Sequence, residues 1–281
     1  MMKHIYILTV LLLCCACEAP LDLNRIDSSP CIMANTLIGN AEPSRIYVKT
    51  AVPMNSGDKS LGEKRVYLHG EVAGRAMIFK DISTNFGQGA YEYTPEISPG
   101  ERIRIEASAA GVPEVYAETT VPQPMDLKSA CILEREKSFI TLEITYEEDE
   151  DGYYGIIFHD TDISEAPGIQ MSESYDMVVS YSSLDREILI WDKHKVEKDG
   201  RKRTLTTYLD TDHDKDSYDI SLVSLSPEAF NYLRGCYMKT TGFASIGMST
   251  PAFTYSNVIG GIGTVGSYWE TRMTIKMKDQ E

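Results

Sequence analysis

Residues 99–121 read PGERIRIEASAAGVPEVYAETTV and carry the clearest strand pattern of the chain. Pro99-Gly100 is typical of a turn, and apolar residues then alternate with polar ones at Ile103, Ile105 and Ala107. Strict alternation places every second side chain on one face of a strand, so this pattern predicts a half-buried β-strand. Residues 115–121 predict a second strand after the next glycine turn.

Similar short patterns, punctuated by glycine and proline, continue along the chain. They predict strands over 45–52, 65–69, 75–79, 139–146, 153–159 and 175–181, a strand at Ile188 and Ile190, and strands over 202–209, 219–225 and 268–277. Short alternating runs at this spacing are typical of β-sandwiches. The sequence therefore predicts an all-β protein made of two tandem immunoglobulin-like β-sandwich domains, with one short helix in the second.

A proline pair divides these strands into two groups. Pro122-Gln123-Pro124 predicts a stiff, non-helical joint. The predicted organisation is a leader over 1–16, a tether over 17–30, an N-terminal β-sandwich domain over 31–122 and a β-rich C-terminal domain over 125–281. The helix is expected near 227–235, because Ser226-Pro227-Glu228 combines an N-cap, a proline in the first turn and an acidic residue.

The amino terminus predicts export. Lys3 is followed by a short apolar segment and then by small residues before Cys17. The segment is shorter than the roughly 20 residues that span a bilayer, and its layout is that of a secretory signal peptide. A small residue directly before a cysteine resembles the bacterial lipobox, so Cys17 is the expected lipidation site. The alternative is ordinary cleavage and release of an unlipidated protein.

The charge of the chain limits its partners. The formal net charge is −15 at pH 7, which argues against nucleic acid and against anionic lipid surfaces as general partners. Three cysteines remain beyond Cys17, and an odd number cannot all pair. Buried thiols are the first expectation, and Cys131–Cys236 is the pair to test for a disulfide.

Two charged segments are candidate sites. Asp210, Asp212, Asp214 and Asp216 place carboxylates at alternate positions, as a calcium loop does, although a solvated acidic loop is the expected reading. A basic cluster surrounds Asp199-Gly200, a dipeptide typical of hairpin turns. Its cations could contact a partner or could simply prevent edge-to-edge strand pairing. The basic cluster consists of Lys193, Lys195, Lys198, Arg201, Lys202 and Arg203.

Catalytic motifs are missing from the sequence. It contains neither H-E-x-x-H nor G-x-S-x-G, and Cys-x-x-Cys occurs only in the leader. Residues 261–266, GIGTVG, match a dinucleotide fingerprint literally, but a strand rather than a helix is predicted after them. Tight turns with positive φ are the expected reason for these glycines. The sequence therefore predicts no catalytic residues, no cofactor and no enzyme activity.

The carboxyl-terminal part resembles a known family. Residues 255–266, YSNVIGGIGTVG, and residues 225–233, LSPEAFNYL, look like two signatures of a Bacteroidota lipoprotein family classed as domain of unknown function 4249. Residues 199–202 and 117–122 also resemble its segments. Cys236 after the helix and the long basic segment depart from the family pattern. The resemblance covers nearly the whole chain.

This resemblance implies a role at the outer membrane. Members are lipid-anchored and often encoded beside TonB-dependent transporters. We therefore expect a non-catalytic binding or accessory component, held to the membrane through its lipid and contacting such a transporter. A structural or adhesive surface module is the alternative, and an enzyme is the third class considered.

Overall fold

The computed structural model describes residues 29–52, 60, 64–83, 89–136, 139–147, 152–159, 177–181, 186–192, 202–208, 217–241 and 255–277. These residues form sixteen β-strands and one α-helix, which confirms the all-β class. Within these ranges, no helix combines the length and the apolar character needed to cross a bilayer.

Eight strands precede the proline joint. They are β1 (Cys31–Ile38), β2 (Ser44–Ala51), β3 (Val66–Val72), β4 (Arg75–Ala76), β5 (Phe79–Asp81), β6 (Ala90–Tyr93), β7 (Arg102–Ala109) and β8 (Val112–Thr120). The sequence predicted one strand over 75–79, whereas the chain there divides into β4 and β5, which lie in different sheets.

The remaining elements follow the joint. They are β9 (Asp126–Glu136), β10 (Phe139–Glu147), β11 (Tyr153–Phe158), β12 (Met177–Tyr181), β13 (Arg186–Asp192), β14 (Lys202–Tyr208), β15 (Ser217–Leu225), α1 (Pro227–Thr241) and β16 (Ile262–Lys276). The helix passes through Gly235 instead of ending near it, so the predicted span of 227–235 was too short.

Two layers of sheet enclose the core of the first sandwich. One layer is β4-β3-β7-β8, and the other is β16-β1-β2-β6-β5. In β7 the alternating residues Ile103, Ile105 and Ala107 are all buried, as the sequence pattern predicted. They pack with Ile46 and Val48 of β2 across the sandwich.

The second sandwich packs β14-β10-β9 against β12-β13-β11-β15-β16. Strand β11 is buried along nearly its whole length, because both faces of its sheet are covered. Tyr154 and Ile156 face the three-stranded sheet, whereas Ile157 packs in a separate cluster with Phe230 and Leu233 of α1. The helix thus forms a third layer on the outer face of this sheet.

A single strand joins the two sandwiches. The first part of β16, residues 262–267, pairs in parallel with β1, and its second part, residues 268–276, pairs antiparallel with β15. The result is one nine-stranded sheet in the order β12-β13-β11-β15-β16-β1-β2-β6-β5. Since Val265 lies in the first core and Ile275 in the second, the end of the chain completes both sandwiches.

One local prediction was wrong. Asp199-Gly200 was expected to turn a hairpin between the strands on its two sides. Instead, β13 pairs with β11 and β12, whereas β14 pairs with β10 in the other layer. The connection therefore crosses from one sheet of the second sandwich to the other.

Candidate functional site

An open groove lies where the two sandwiches meet. Its volume is about 600 Å³, within the range of ligand sites. One wall is the proline joint, and the other is formed by the start of β11, the end of β15 and the start of α1. Side chains and backbone from both walls line it, including Gly100, Val121, Pro122, Gln123, Pro124, Asp126, Tyr153, Tyr154, Ser224, Leu225 and Pro227.

The proline wall is fixed by backbone hydrogen bonds. The N–H of Gly100 donates to the carbonyl of Val121 at 2.8 Å, and the N–H of Val121 donates to the carbonyl of Glu101 at 2.9 Å. The side chain of Val121 is buried in the first core. Because the two prolines that follow also restrict φ, this wall is formed before any ligand arrives.

Aromatic rings hold the opposite wall. Tyr153 stacks on Phe230 of the helix with ring centroids 4.5 Å apart. Tyr154 packs edge-on against Tyr146, with centroids at 5.3 Å. Tyr153, which is half-buried, can present contact area with little loss of side-chain entropy on binding, whereas Tyr154 is only 3% exposed and supports the wall from the core. This wall is therefore also preorganised.

A buried hydroxyl network supports the groove from below. Ser226 is the N-cap of α1, and its Oγ accepts a hydrogen bond from the N–H of Ala229 at 3.2 Å. The same oxygen accepts from the N–H of Ser267 at 3.1 Å and lies 3.2 Å from Oγ1 of Thr119. Thr119 also donates to the carboxylate of Glu228 at 2.9 Å. These contacts tie β8, β16 and the helix together.

The hydroxyl of Ser224 differs from the hydrogen-bonded hydroxyls of this network. Its side chain lines the groove and is only 3% exposed, yet among the described residues its Oγ finds no hydrogen-bond partner. An unsatisfied buried hydroxyl costs about 1–3 kcal/mol. A bound group that hydrogen-bonds to Ser224 would recover this cost.

The groove carries little charge. Asp126 is the one carboxylate among its lining residues, and it forms an ion pair with Lys128 at 2.9 Å. The lining is otherwise built from proline, tyrosine, glycine, serine, threonine, glutamine, valine and leucine. Such a surface suits an uncharged ligand with hydrogen-bonding groups rather than an ion.

A second concavity, of about 430 Å³, lies beside β3 and β7. Its cations are already engaged, because Arg102 and Arg104 both pair with Glu118. Hydrogen bonds from these two guanidiniums hold the pKa of Glu118 below its ordinary range. With its charges satisfied internally, this concavity is a weaker candidate than the groove.

A serine, a histidine and a glutamate also meet on the nine-stranded sheet. Nε2 of His159 lies 2.6 Å from Oγ of Ser221, which donates to the carboxylate of Glu270 at 2.5 Å. In a hydrolytic triad the histidine stands between the serine and the acid. Here the serine contacts both partners and is completely buried, and Nε2 of His159 also lies 3.6 Å from the carboxylate of Glu270, so the three side chains form one buried cluster.

The structure brings together few of the residues singled out from sequence. Lys202 and Arg203 lie on the edge strand β14, where they pair with Thr145 and Ile144 of β10. The other four members of the basic cluster lie outside the described residues. Asp210, Asp212, Asp214 and Asp216 also lie outside them, as does Cys17. The lipidation, calcium and partner-contact assignments stay predictions.

The disulfide considered between Cys131 and Cys236 does not form. Cys131 is a free thiol on β9, and Cys31 at the start of β1 is free as well. Both thiols are half-buried, and burial raises the pKa of Cys31. The sequence predicted buried thiols, whereas these two are only partly buried.

The glycines of the fingerprint-like motif serve the backbone. Of the three motif glycines, Gly263 has a φ of 124°, as expected, whereas Gly261 and Gly266 do not have positive φ. A Cβ on Gly266 would lie 2.8 Å from the backbone nitrogen of Ala229, so this glycine lets α1 approach β16. Strand β16 begins inside the motif, at Ile262, so a strand and not the helix of a dinucleotide site continues from it.

The fold and groove define a class of protein: a fused double β-sandwich with a groove at the junction. The chain belongs to the family described as Domain of unknown function (DUF4249), whose model matches residues 18–274. This match confirms the family resemblance seen in the sequence. The sequence matches no curated protein.

Two solved structures show distant likeness to the chain. One is a protein of Corynebacterium diphtheriae described as membrane anchored, with 9% identity and a TM-score of 0.21; the likeness covers 90% of this chain and 60% of that one. The other is the collagen adhesin of S. aureus, with 6% identity, a TM-score of 0.20 and coverage of 89% and 95%. Likeness at these scores says nothing about what this chain binds.

Proposed function

We propose that this protein is a lipid-anchored, non-catalytic accessory component of the bacterial outer membrane that binds a TonB-dependent transporter. The observation that carries this proposal is the preorganised groove with the unsatisfied hydroxyl of Ser224 in its lining. The leader ending at Cys17 supports the anchor, and the family resemblance supports the choice of partner.

The chemistry of the groove favours a polypeptide segment as ligand. Its prolines and tyrosines offer apolar contact, and tyrosine is enriched at protein interfaces. A peptide backbone supplies N–H and C=O groups along its whole length, so it can satisfy Ser224 without bringing a charge into the groove. We therefore assign the groove to a loop or terminal segment of the transporter.

The anchor makes a modest interface sufficient. Residues 18–29 separate Cys17 from the start of the first sandwich, and a flexible chain of this length reaches roughly 20 Å, from about 5–6 Å × √n. Two proteins confined to one membrane surface meet at high effective concentration. The basic cluster would add orientation, because charges at the rim of an interface mainly set the rate of encounter.

Co-purification tests this proposal. Tagged protein is extracted from outer membranes with a gentle detergent, and its partners are identified by mass spectrometry. We expect a TonB-dependent transporter to be recovered with the wild-type chain and to be lost with the double variant Gln123→Ala and Ser224→Ala, which alters the groove lining. Ser108→Ala, on the outer face of β7, is the matched control and should retain the partner.

A second variant separates the basic cluster from the groove. Changing Lys193, Lys195, Arg201, Lys202 and Arg203 to Glu should slow association and weaken recovery of the transporter. Recovery unchanged by this reversal would remove the basic cluster from the interface and leave the groove. If no transporter is recovered and deletion of the gene leaves uptake intact, the accessory role is wrong and a structural surface module is the better description.

A further inference from the structure

A row of charged side chains crosses the outer face of the four-stranded sheet. Glu71 of β3 pairs with Arg104 of β7, which pairs in turn with Glu118 of β8. Side chains of paired residues lie on the same face of a sheet, and the alternate positions of these strands are buried, so the row faces away from the core. The row lines the concavity of about 430 Å³ beside β3 and β7. We call this site the charged concavity, and its lining residues are Glu71, Ala73, Gly74, Arg102, Arg104 and Glu118.

The central arginine of this row is held in place from three directions. Nε of Arg104 donates to the carboxylate of Glu106 at 2.7 Å, and Nη1 donates to Glu118 at 3.0 Å. The same guanidinium lies over the ring of Tyr116, 4.4 Å from its centroid. A side chain that is already ordered loses little entropy when a ligand binds, so this part of the lining is preorganised.

The turn between β3 and β4 forms the rim of the charged concavity. Ala73 and Gly74 have φ values of 47° and 78°, the positive values that a tight hairpin turn requires. The N–H of Ala73 donates to the carbonyl of Arg102 at 2.9 Å, which ties the turn to β7. A Cβ on Gly74 would meet nothing within 4 Å, so the space beside the turn is open to a ligand.

Two charged groups in the lining have hydrogen-bonding capacity to spare. The half-buried Glu71 forms no side-chain hydrogen bond or ion pair within the part of the chain that the structure describes, so its carboxylate oxygens are available as acceptors. Arg102 directs one N–H towards Glu118 and is 68% exposed, which leaves most of the five donors of its guanidinium available. The concavity therefore offers acceptors from β3 and donors from β7.

The charge balance of the lining favours a neutral ligand. Two guanidiniums offset two carboxylates, so an anion would meet Glu71 and a cation would meet Arg102. A hydroxyl group both donates and accepts, so neighbouring hydroxyls of a sugar can donate to Glu71 and accept from Arg102. Ala73 has the only apolar side chain among the lining residues, so the concavity offers no apolar pocket to a peptide side chain.

A tyrosine extends this surface beyond the concavity. Tyr67 lies on the same face of β3, four residues before Glu71 and therefore about 13 Å away along the strand. Its side chain is 63% exposed, and the guanidinium of Arg65 lies 5.8 Å from its ring centroid. An aromatic ring offers apolar surface to the C–H face of a sugar while its hydroxyl stays in water. This separation exceeds the length of one sugar ring and suits an oligosaccharide.

We infer that the charged concavity binds a neutral oligosaccharide. One sugar unit is held by hydrogen bonds to Glu71 and Arg102, and a unit further along the ligand packs on Tyr67. The inference is independent of the transporter proposal, because none of these three residues lines the groove.

Binding to defined sugars tests the inference. The purified mature protein, in a detergent without a sugar headgroup, is applied to an array of neutral tetrasaccharides of glucose, mannose, galactose and xylose, with sulfated counterparts and short peptides alongside. We expect at least one neutral tetrasaccharide to bind, and calorimetry to give its affinity. Glu71→Ala and Arg102→Ala should each weaken this binding about tenfold or more, because each removes a charge-assisted hydrogen bond. Arg45→Ala, at an exposed arginine on β2 of the other sheet, is the matched control and should bind like the wild type.

Further variants separate recognition from folding. Glu71→Gln and Arg102→Lys keep the approximate size of each side chain and should also weaken binding, so they decide the question if an alanine variant fails to fold in thermal melts. Tyr67→Ala should weaken binding of the tetrasaccharide and leave the affinity for the corresponding disaccharide unchanged. Recovery of a transporter should be the same with Glu71→Ala as with the wild type.

Three results would overturn the inference. The first is that no neutral tetrasaccharide binds. The second is a preference for sulfated sugars or for peptides over neutral sugars. The third is binding that stays at the wild-type level in both Glu71→Gln and Arg102→Lys.

Discussion

Thr119 and Ser226 lie 107 positions apart in the chain, and their buried hydroxyl oxygens are 3.2 Å apart. Thr119 ends the first sandwich at β8, whereas Ser226 caps the helix of the second. Their contact, together with Ser267 on β16, fixes the two walls of the groove relative to each other. The shape of the groove therefore depends on a polar contact between the two halves of the chain.

Loss of the cap should destabilise the protein and reveal this coupling. Ser226→Ala removes the acceptor for Ala229 and should lower the free energy of unfolding by about 1–2 kcal/mol. Thr119→Val removes a partner in the same network, so the double variant should deviate from additivity by about 1 kcal/mol. Urea unfolding of the wild type, the two single variants and the double variant measures this double-mutant cycle. Strict additivity would show that the two hydroxyls are energetically independent.

The glycine at 263 should tolerate no side chain. A Cβ there would lie 2.0 Å from the carbonyl oxygen of Ala34, and φ is 124°. We expect Gly263→Ala to cost about 3 kcal/mol or more, because the β1–β16 pairing must shift. Gly74→Ala is the matched control: φ is 78° but nothing lies within 4 Å, so about 1–2 kcal/mol is expected. Similar losses of stability for Gly263→Ala and Gly74→Ala in thermal melts would contradict the expected difference between the two positions.

Removal of the Ser224 hydroxyl should have opposite effects on the stability of the fold and on partner binding. Ser224→Ala replaces an unsatisfied buried hydroxyl by a methyl group and should raise the free energy of unfolding by about 1 kcal/mol. The same change should weaken partner recovery, because the ligand loses its hydrogen bond. Chemical unfolding and co-purification measure the two effects on one variant. A variant that is less stable and binds normally would show that this hydroxyl is structural.

Asp219 should contribute to acid sensitivity. Hydrogen bonds from Thr274 and Arg272 hold the pKa of Asp219 below its ordinary value of 3.8. Because the folded-state pKa is lowered, the carboxylate stabilises the fold above pH 3.8, and this contribution is lost as the pH falls below that value. Wild type should exceed Asp219→Asn in stability at neutral pH, and the difference should shrink towards pH 3. A stability difference that does not change with pH would contradict the contribution of the ion pair between Asp219 and Arg272.

Local patterns in the sequence predicted many strands of the fold. In β7, and in β8 from Val115 onward, each buried position alternates with a more exposed one, so the pattern and the burial agree. The helix start at Ser226-Pro227-Glu228 was also correct, because capping depends on neighbouring residues. These elements are specified by interactions within a few residues of the chain.

Elements that depend on distant pairing were missed. β1 was not predicted, because its inward positions mix Ile32 with Ala34 and Thr36 and show no clean alternation. Its parallel partner is β16, more than 220 residues away. The Asp199-Gly200 hairpin was wrong for the same reason, since a turn signal cannot show that the next strand joins another sheet.

The groove could not be predicted from sequence either. Its walls come from residues 120–126, 152–154 and 224–227, which share no local pattern. The one signal was Pro122-Gln123-Pro124, which indicated a stiff joint but not a recognition surface. The unsatisfied state of Ser224 is a property of the packed fold, because it depends on which groups surround the hydroxyl.

Site-specific photo-crosslinking in cells tests the central claim most directly. A photoreactive amino acid replaces Gln123, which is exposed in the groove lining, and a second chain carries it at Tyr67, which is 63% exposed on the first sandwich. Irradiated adducts are isolated and identified by mass spectrometry. We predict an adduct with a TonB-dependent transporter from position 123 and none from position 67. The absence of a transporter adduct at 123, or the same adducts from both positions, would contradict the proposed function of the groove.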